Sequence, residues 1–191
     1  MAVSSTMLEL GTKAPDFSLP DTVSDDTVNL GDFTQDALLV IFMSNHCPYV
    51  KHVQQGLAAL RRDYDEGDVA IVGISANDVE NYPDDSPAEL ARIAKEMGYG
   101  FPVLYDESQE VAKAYTAACT PDFFLFDADR ALVYRGQMDS SRPKSGEPVT
   151  GDDLRAALDA LLAGEEIPAE QRPSIGCSIK WKEGNAPAYA S

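Results

Sequence analysis

Positive charge is scarce in this chain: 15 Lys and Arg stand against 32 Asp and Glu, for a formal net charge of −17. Such a balance argues against a nucleic-acid-binding surface and against adhesion to anionic membranes. The acids are dispersed and not gathered into a tail, which fits an ordinary acidic surface or one suited to high salt. Cysteine is also sparse, with Cys47, Cys119 and Cys177 making a total of 3. An odd, scattered set does not build a disulfide scaffold, and no closely spaced pair marks a structural zinc site. No apolar run approaches the roughly 20 residues of a membrane span. The opening Met1-Ala-Val-Ser-Ser-Thr-Met-Leu-Glu9 lacks the basic and apolar regions of a secretory signal, so the expectation is a soluble cytoplasmic protein. Neither a Gly-rich phosphate loop nor a Gly-x-Gly after a strand occurs, so no organic cofactor is expected.

What is present suffices for one α/β domain: 191 residues, 44% of them hydrophobic. Leu38 to Met43 is an unbroken apolar run, the pattern of a strand buried on both faces. It turns through Ser44, Asn45 and His46 to Cys47, and Pro48 then occupies a position favoured in the first turn of a helix. The spacing predicts a helix over 48–64, with Val50, Val53, Leu57 and Leu60 facing the sheet. Cys47 thus stands where free N–H groups and the helix dipole stabilise an anion, and the thiolate is the nucleophilic form of cysteine.

Along the rest of the chain the pattern predicts a peripheral segment at 1–13 and a hairpin of short strands at 14–20 and 27–30. A second buried strand over 68–75 and a helix over 87–97 follow, the helix opened by Ser86 and Glu89 as a capping box. Next come an extended stretch at 101–105, a short helix at 107–115 and two strands at 123–126 and 132–135 around a turn at 127–130. A last helix at 152–162 carries a sheet-facing stripe of Leu154, Leu158, Leu161 and Leu162. The tail has no clear periodicity except at Ser178-Ile-Lys-Trp-Lys182. Alternation of strands and helices argues for a parallel core, and the late hairpin makes the sheet mixed.

This order, with Ser44-Asn-His-Cys-Pro-Tyr-Val-Lys51, Cys119-Thr-Pro-Asp-Phe-Phe-Leu-Phe-Asp127, Tyr134-Arg-Gly136 and Gly176-Cys-Ser-Ile-Lys-Trp-Lys182, resembles the peroxiredoxin-like AhpC/TSA branch of the thioredoxin fold. The opening Gly11-Thr-Lys-Ala-Pro-Asp-Phe-Ser-Leu19 has the same likeness. The resemblance implies an α/β thioredoxin fold, a mixed central sheet flanked by helices, with an N-terminal β-hairpin and an irregular C-terminal tail. Residues 1–163 would form the domain, and 164–191 an extension packed on it. It also implies a thiol-redox protein with Cys47 as the attacking thiolate and Pro121 as the cis-proline beside it, preceded by Thr120. Ser44 matches the Ser or Thr three residues before a peroxidatic cysteine. Val40 departs from that pattern, which has proline there.

The run Cys47-Pro-Tyr-Val50 resembles a Cys-Pro-Tyr-Cys motif with its second thiol replaced, so the partner sulfur lies elsewhere. The candidates are Cys119, Cys177 or a small thiol such as glutathione, with a thioredoxin- or glutaredoxin-type reductant and a peroxide or disulfide substrate. Cys119 reads equally as a packing residue, and for Cys177 a structural thiol under the Trp181 anchor is the preferred reading. His46 could act as a base beside Cys47, while His52 reads as exposed. Arg135 could support the thiolate or stand on the hairpin paired with Asp127 or Asp129. Tyr49 and Phe123 read as packing around the site. Two other functions remain open: a non-catalytic binding module, and a copper-handling, Sco-like protein using Cys47 and the histidines.

Overall fold

A computed structural model describes residues 2–190. Its centre is the expected apolar strand, β4 (Ala37–Phe42), with every residue buried. The second apolar run forms β5 (Val69–Ser75), parallel to β4. β6 (Val103–Tyr105) continues the parallel set, whereas β8 (Asp122–Phe126) and β9 (Leu132–Gly136) run antiparallel. The five-stranded sheet has the order β6-β5-β4-β8-β9, the mixed sheet predicted.

Because side chains alternate across a strand, β4 supplies two cores. Leu39 and Ile41 pack with helices α1 (Pro48–Asp63), α2 (Pro87–Met97) and α4 (Asp152–Ala163). Leu38, Val40 and Phe42 face the opposite layer with Phe17, Leu19, Ile179 and Tyr115, which follows the short helix α3 (Glu110–Ala114). The predicted stripe of α1 is buried, Val50, Leu57 and Leu60 completely. On α4, Leu154 and Leu158 are buried but Leu162 is 41% exposed. At about 100° per residue Leu162 lies rotated off the stripe.

The capping box of α2 does not form. Ser86 is the N-cap, but its side chain makes no capping hydrogen bond, and Glu89 turns outward to accept from Arg92. The hairpin β2 (Ser18–Pro20) and β3 (Thr27–Asn29) lies where expected. The larger difference is at the termini. Ala2–Ser4, expected to be peripheral, forms β1, and in the tail, where no strand is expected, β10 covers Ile175–Ser178. Together with β7 (Cys119–Thr120) they make a second sheet, β1-β10-β7, fully antiparallel. The Thr120–Pro121 peptide bond is cis, as expected.

Candidate functional site

The parallel strands β4 and β5 end side by side, so the loops leaving them meet at one edge of the sheet. Leaving β4, the chain turns through residues 44–46, and Cys47 becomes the N-cap of α1 with Pro48 at its first helical position. Cys47 is 0% exposed, and its Sγ donates to the Thr120 carbonyl at 3.1 Å. Val50, at the place of the missing motif thiol, is buried in the core.

The tail brings a second sulfur to this point. In the register of β10 on β7, Cys177 stands opposite Thr120 and Ser178 opposite Cys119. The Cys177 side chain is consequently carried against Cys47. Burial, followed by that contact and its charge, pushes the Cys177 thiol up to about 11. Gly176 makes the close approach possible: a Cβ there would lie 2.0 Å from the Thr120 oxygen. Any side chain would push β10 off the proline loop.

Cys119 is placed differently. Its Sγ faces the carbonyls of Pro121 at 3.6 Å and Ser174 at 3.9 Å. Burial, with the Asp122 charge added, raises its thiol far above the usual range. That makes Cys119 a poor nucleophile at neutral pH.

Around the thiols, Asp85 organises the turn. It is fully buried in the short 3₁₀ turn Pro83–Asp85. It accepts from Asn45 N–H at 2.5 Å, from Asn77 Nδ2 at 2.8 Å and from Ser44 Oγ at 3.1 Å. His46 Nδ1 stands 2.5 Å from the same carboxylate, and the ring stacks on Tyr82 with centroids 4.9 Å apart. Ser44 thus spends its donor on Asp85, and His46 is tied through Nδ1, with Nε2 left for other chemistry. Neither Asp85 nor Asn77 stood out in the sequence. The only signal was their position in the loop after β5, at the strand ends where α/β sheets bind ligands.

Arg135 does not join this constellation. Its register partner is Phe124, and both belong to the layer opposite Cys47. The side chain is buried, donates to the Leu8 carbonyl and faces Asp122, so the expected pairing with Asp127 or Asp129 is replaced. His52, expected to be exposed, is half-buried with Nε2 2.9 Å from Ser141 Oγ. Among the described residues, no group of three or more His, Cys, Asp or Glu is arranged to hold a metal ion. The arrangement assumed for copper, with His46 and His52 both turned to Cys47, is not what the side chains adopt. Pro121 lines a shallow groove together with Tyr49 and Phe123.

Comparison with known proteins adds the following. The AhpC/TSA family model matches residues 10–135. The crystal structure of an uncharacterized conserved protein from Geobacillus kaustophilus is 56% identical, with a TM-score of 0.93, covering 95% of this chain and 97% of that one. The thioredoxin domain of a thiol-disulfide oxidoreductase from Bacteroides vulgatus is 20% identical with a TM-score of 0.62, over 81% of this chain and 99% of that one. The fold is therefore thioredoxin-like. Among curated proteins, 1-Cys peroxiredoxin B of Oryza sativa subsp. japonica is 23% identical over 192 residues, 93% of this chain and 80% of the rice protein. The mitochondrial peroxiredoxin PRX1 of Saccharomyces cerevisiae is 28% identical over 110 residues, which span 56% of this chain and only 41% of the yeast protein.

Proposed function

Because the chain belongs to the AhpC/TSA family, we propose that it is a thiol-based redox protein cycling between two free thiols and a Cys47–Cys177 disulfide. One observation carries the proposal: β10 pairs with β7 in the register that sets Cys177 opposite Thr120 and against the Cys47 thiol. Two sulfurs far apart in the sequence are brought together there, with Gly176 allowing the close approach of the strand, and this supports reading them as a redox pair.

The favoured chemistry is thiol–disulfide exchange. Cys47 is sealed, whereas Cys177 is half-buried, so a molecule larger than a peroxide meets Cys177 first. The Cys177 thiol, raised to about 11 and so a slow attacker at neutral pH, enters through its minor thiolate form, attacks one sulfur of a substrate disulfide and displaces one thiolate. Cys47 then attacks the Cys177 sulfur and displaces the second. Two electrons pass to the substrate, the protons of both thiols end on the two released thiols, and the Cys47–Cys177 disulfide remains. A thioredoxin- or glutaredoxin-type dithiol reverses these steps. Ser44 and Arg135, which would assist a peroxidatic cysteine, are committed to Asp85 and to the far layer, and that favours disulfides over peroxides.

A peroxidase reading draws on the family membership and on the peroxiredoxin relatives. A hydroperoxide oxidises the Cys47 thiolate to a sulfenic acid and leaves as the alcohol or water. The Cys177 thiol then forms the same disulfide with loss of water. Peptide mapping after treatment of the reduced protein with oxidised glutathione or hydrogen peroxide tests both. Oxidised glutathione is expected to yield the Cys47–Cys177 disulfide in the wild type and in Cys119→Ser, and to stop at a glutathione adduct in Cys47→Ser. Oxidation by hydrogen peroxide much faster than that of a free thiol would favour the peroxidase instead. A disulfide to Cys119, or none under either oxidant, would overturn the Cys47–Cys177 couple.

A further inference from the structure

Where the tail strand passes Cys177 and ends at Ser178, the surface opens into a cavity of ≈ 650 Å³ lined by Ser178 but by neither cysteine. Its size is in the range of about 300–1,000 Å³ that holds small organic ligands. Val3, Tyr82, Ser178, Lys180, Trp181 and Tyr189 supply the walls that matter here. It joins the redox site in two ways. Ser178, the last residue of the tail strand, follows Cys177, and Lys180 lies three residues beyond Cys177. Tyr82, on the other wall, carries His46 stacked on its ring.

The cavity combines an aromatic lining with one cation. Trp181 and Tyr189 meet edge to face at 6.4 Å, and Tyr82 is 36% exposed. Lys180 Nζ lies 5.7 Å from the Tyr82 ring centroid. It donates to the Ser178 carbonyl at 2.9 Å and to Ser178 Oγ at 3.2 Å. An ammonium has three donors, and Lys180 forms no ion pair with a carboxylate among the described residues. Its charge acts on the Cys177 thiol, so the two groups share one local field. In a chain of net charge −17, an ammonium left without a carboxylate partner beside a reactive sulfur is a selective feature.

We propose that this cavity sets the substrate class of the thiol pair: a small disulfide bearing carboxylates, bound through Lys180 with its body against Tyr82 and Trp181. The proposal rests on the thiol–disulfide reading above. The bound disulfide takes two electrons from Cys47 and Cys177 and leaves as two carboxylate-bearing thiols, which carry away the two thiol protons. Cationic disulfides are disfavoured at this site although the overall charge of the protein attracts them. That opposition of local and global charge makes the proposal sharp, because only a local cation reverses the order set by the surface field.

The test compares oxidised glutathione, which is anionic, with cystamine, a cationic disulfide, and with diamide as an uncharged oxidant. Formation of the Cys47–Cys177 disulfide is followed by acid quench and peptide mapping at physiological ionic strength. Wild-type protein is expected to react about tenfold faster with oxidised glutathione than with cystamine, the scale of one charge-assisted hydrogen bond. Lys180→Gln is expected to lose that preference and Lys180→Arg to keep it, each disulfide rate being divided by the diamide rate of the same variant, because loss of the Lys180 charge also acts on the Cys177 thiol. Equal wild-type rates for the two disulfides, or an unaltered preference in Lys180→Gln, would overturn the proposal and leave the thiol couple standing. Failure of diamide to link Cys47 to Cys177 would remove the couple itself, and the substrate proposal with it.

Discussion

Asp122 follows Pro121 with its carboxyl wholly buried, accepting from the Ala118 N–H at 3.4 Å. Burial pushes this carboxyl up to about 7, only partly offset by hydrogen bonds and by the Arg135 charge. The native state therefore holds a proton up to about pH 7, whereas the unfolded chain releases it near its ordinary value of about 4. Its contribution to stability is greatest below pH 4, declines as pH rises from 4 to 7, and is flat above. The full decline is on the order of 4 kcal/mol. Asp122→Asn is expected to remove it, so the difference in urea unfolding free energy between wild type and variant should change across that window. A difference independent of pH would refute the assignment. The same residue shows how site legibility divides. Cys47 and His46 could be picked from the sequence because their types carry chemistry beside a strand end. Asp85 and Asp122 could not, because an acid in an acidic chain reads as surface until its burial is known.

Strand β10 depends on one atom that is missing. Placing a Cβ on Gly176 brings it within 2.0 Å of the Thr120 oxygen and 2.6 Å of the Thr120 carbonyl carbon, both of them backbone atoms. Gly176→Ala is expected to lift β10 from the proline loop, slow closure of the Cys47–Cys177 disulfide at least about tenfold and speed alkylation of Cys47, since a clash with backbone is relieved only by moving a strand. An unchanged closure rate would show that the register does not set the thiol contact. The long elements were readable from their periods: β4 and β5 as continuous apolar runs, α1 as a stripe at helical spacing. β1, β7 and β10 were not. Strands of two to four residues carry no period, and here their partners lie at opposite ends of the chain.

The net charge of −17 acts on the molecule as a whole. Like charges on a compact surface repel, and salt shortens their reach from about 30 Å at 0.01 M to about 8 Å at 0.15 M. Raising sodium chloride across that range is expected to raise the thermal midpoint by roughly 2–4 °C, the shift that about 1 kcal/mol produces in a chain of this size. A midpoint that stays level or falls would show that local ion pairs such as Arg155–Asp63 and Arg92–Glu96 outweigh the repulsion.

Taken alone, the sequence specified the layered α/β architecture, the central strand, and Cys47 at the start of a helix. Apolar periodicity and helix-start chemistry are local properties, written within a dozen residues. It left open which sulfur faces Cys47, because Cys119 and Cys177 are equivalent as letters. Tertiary packing separated them. Cys119 turns to the carbonyls of Pro121 and Ser174, while the antiparallel register of β10, close-fitted through Gly176, carries Cys177 to the thiol. A contact between residues 47 and 177 is made by strand pairing across the fold, and pairing of that range leaves no trace in local pattern.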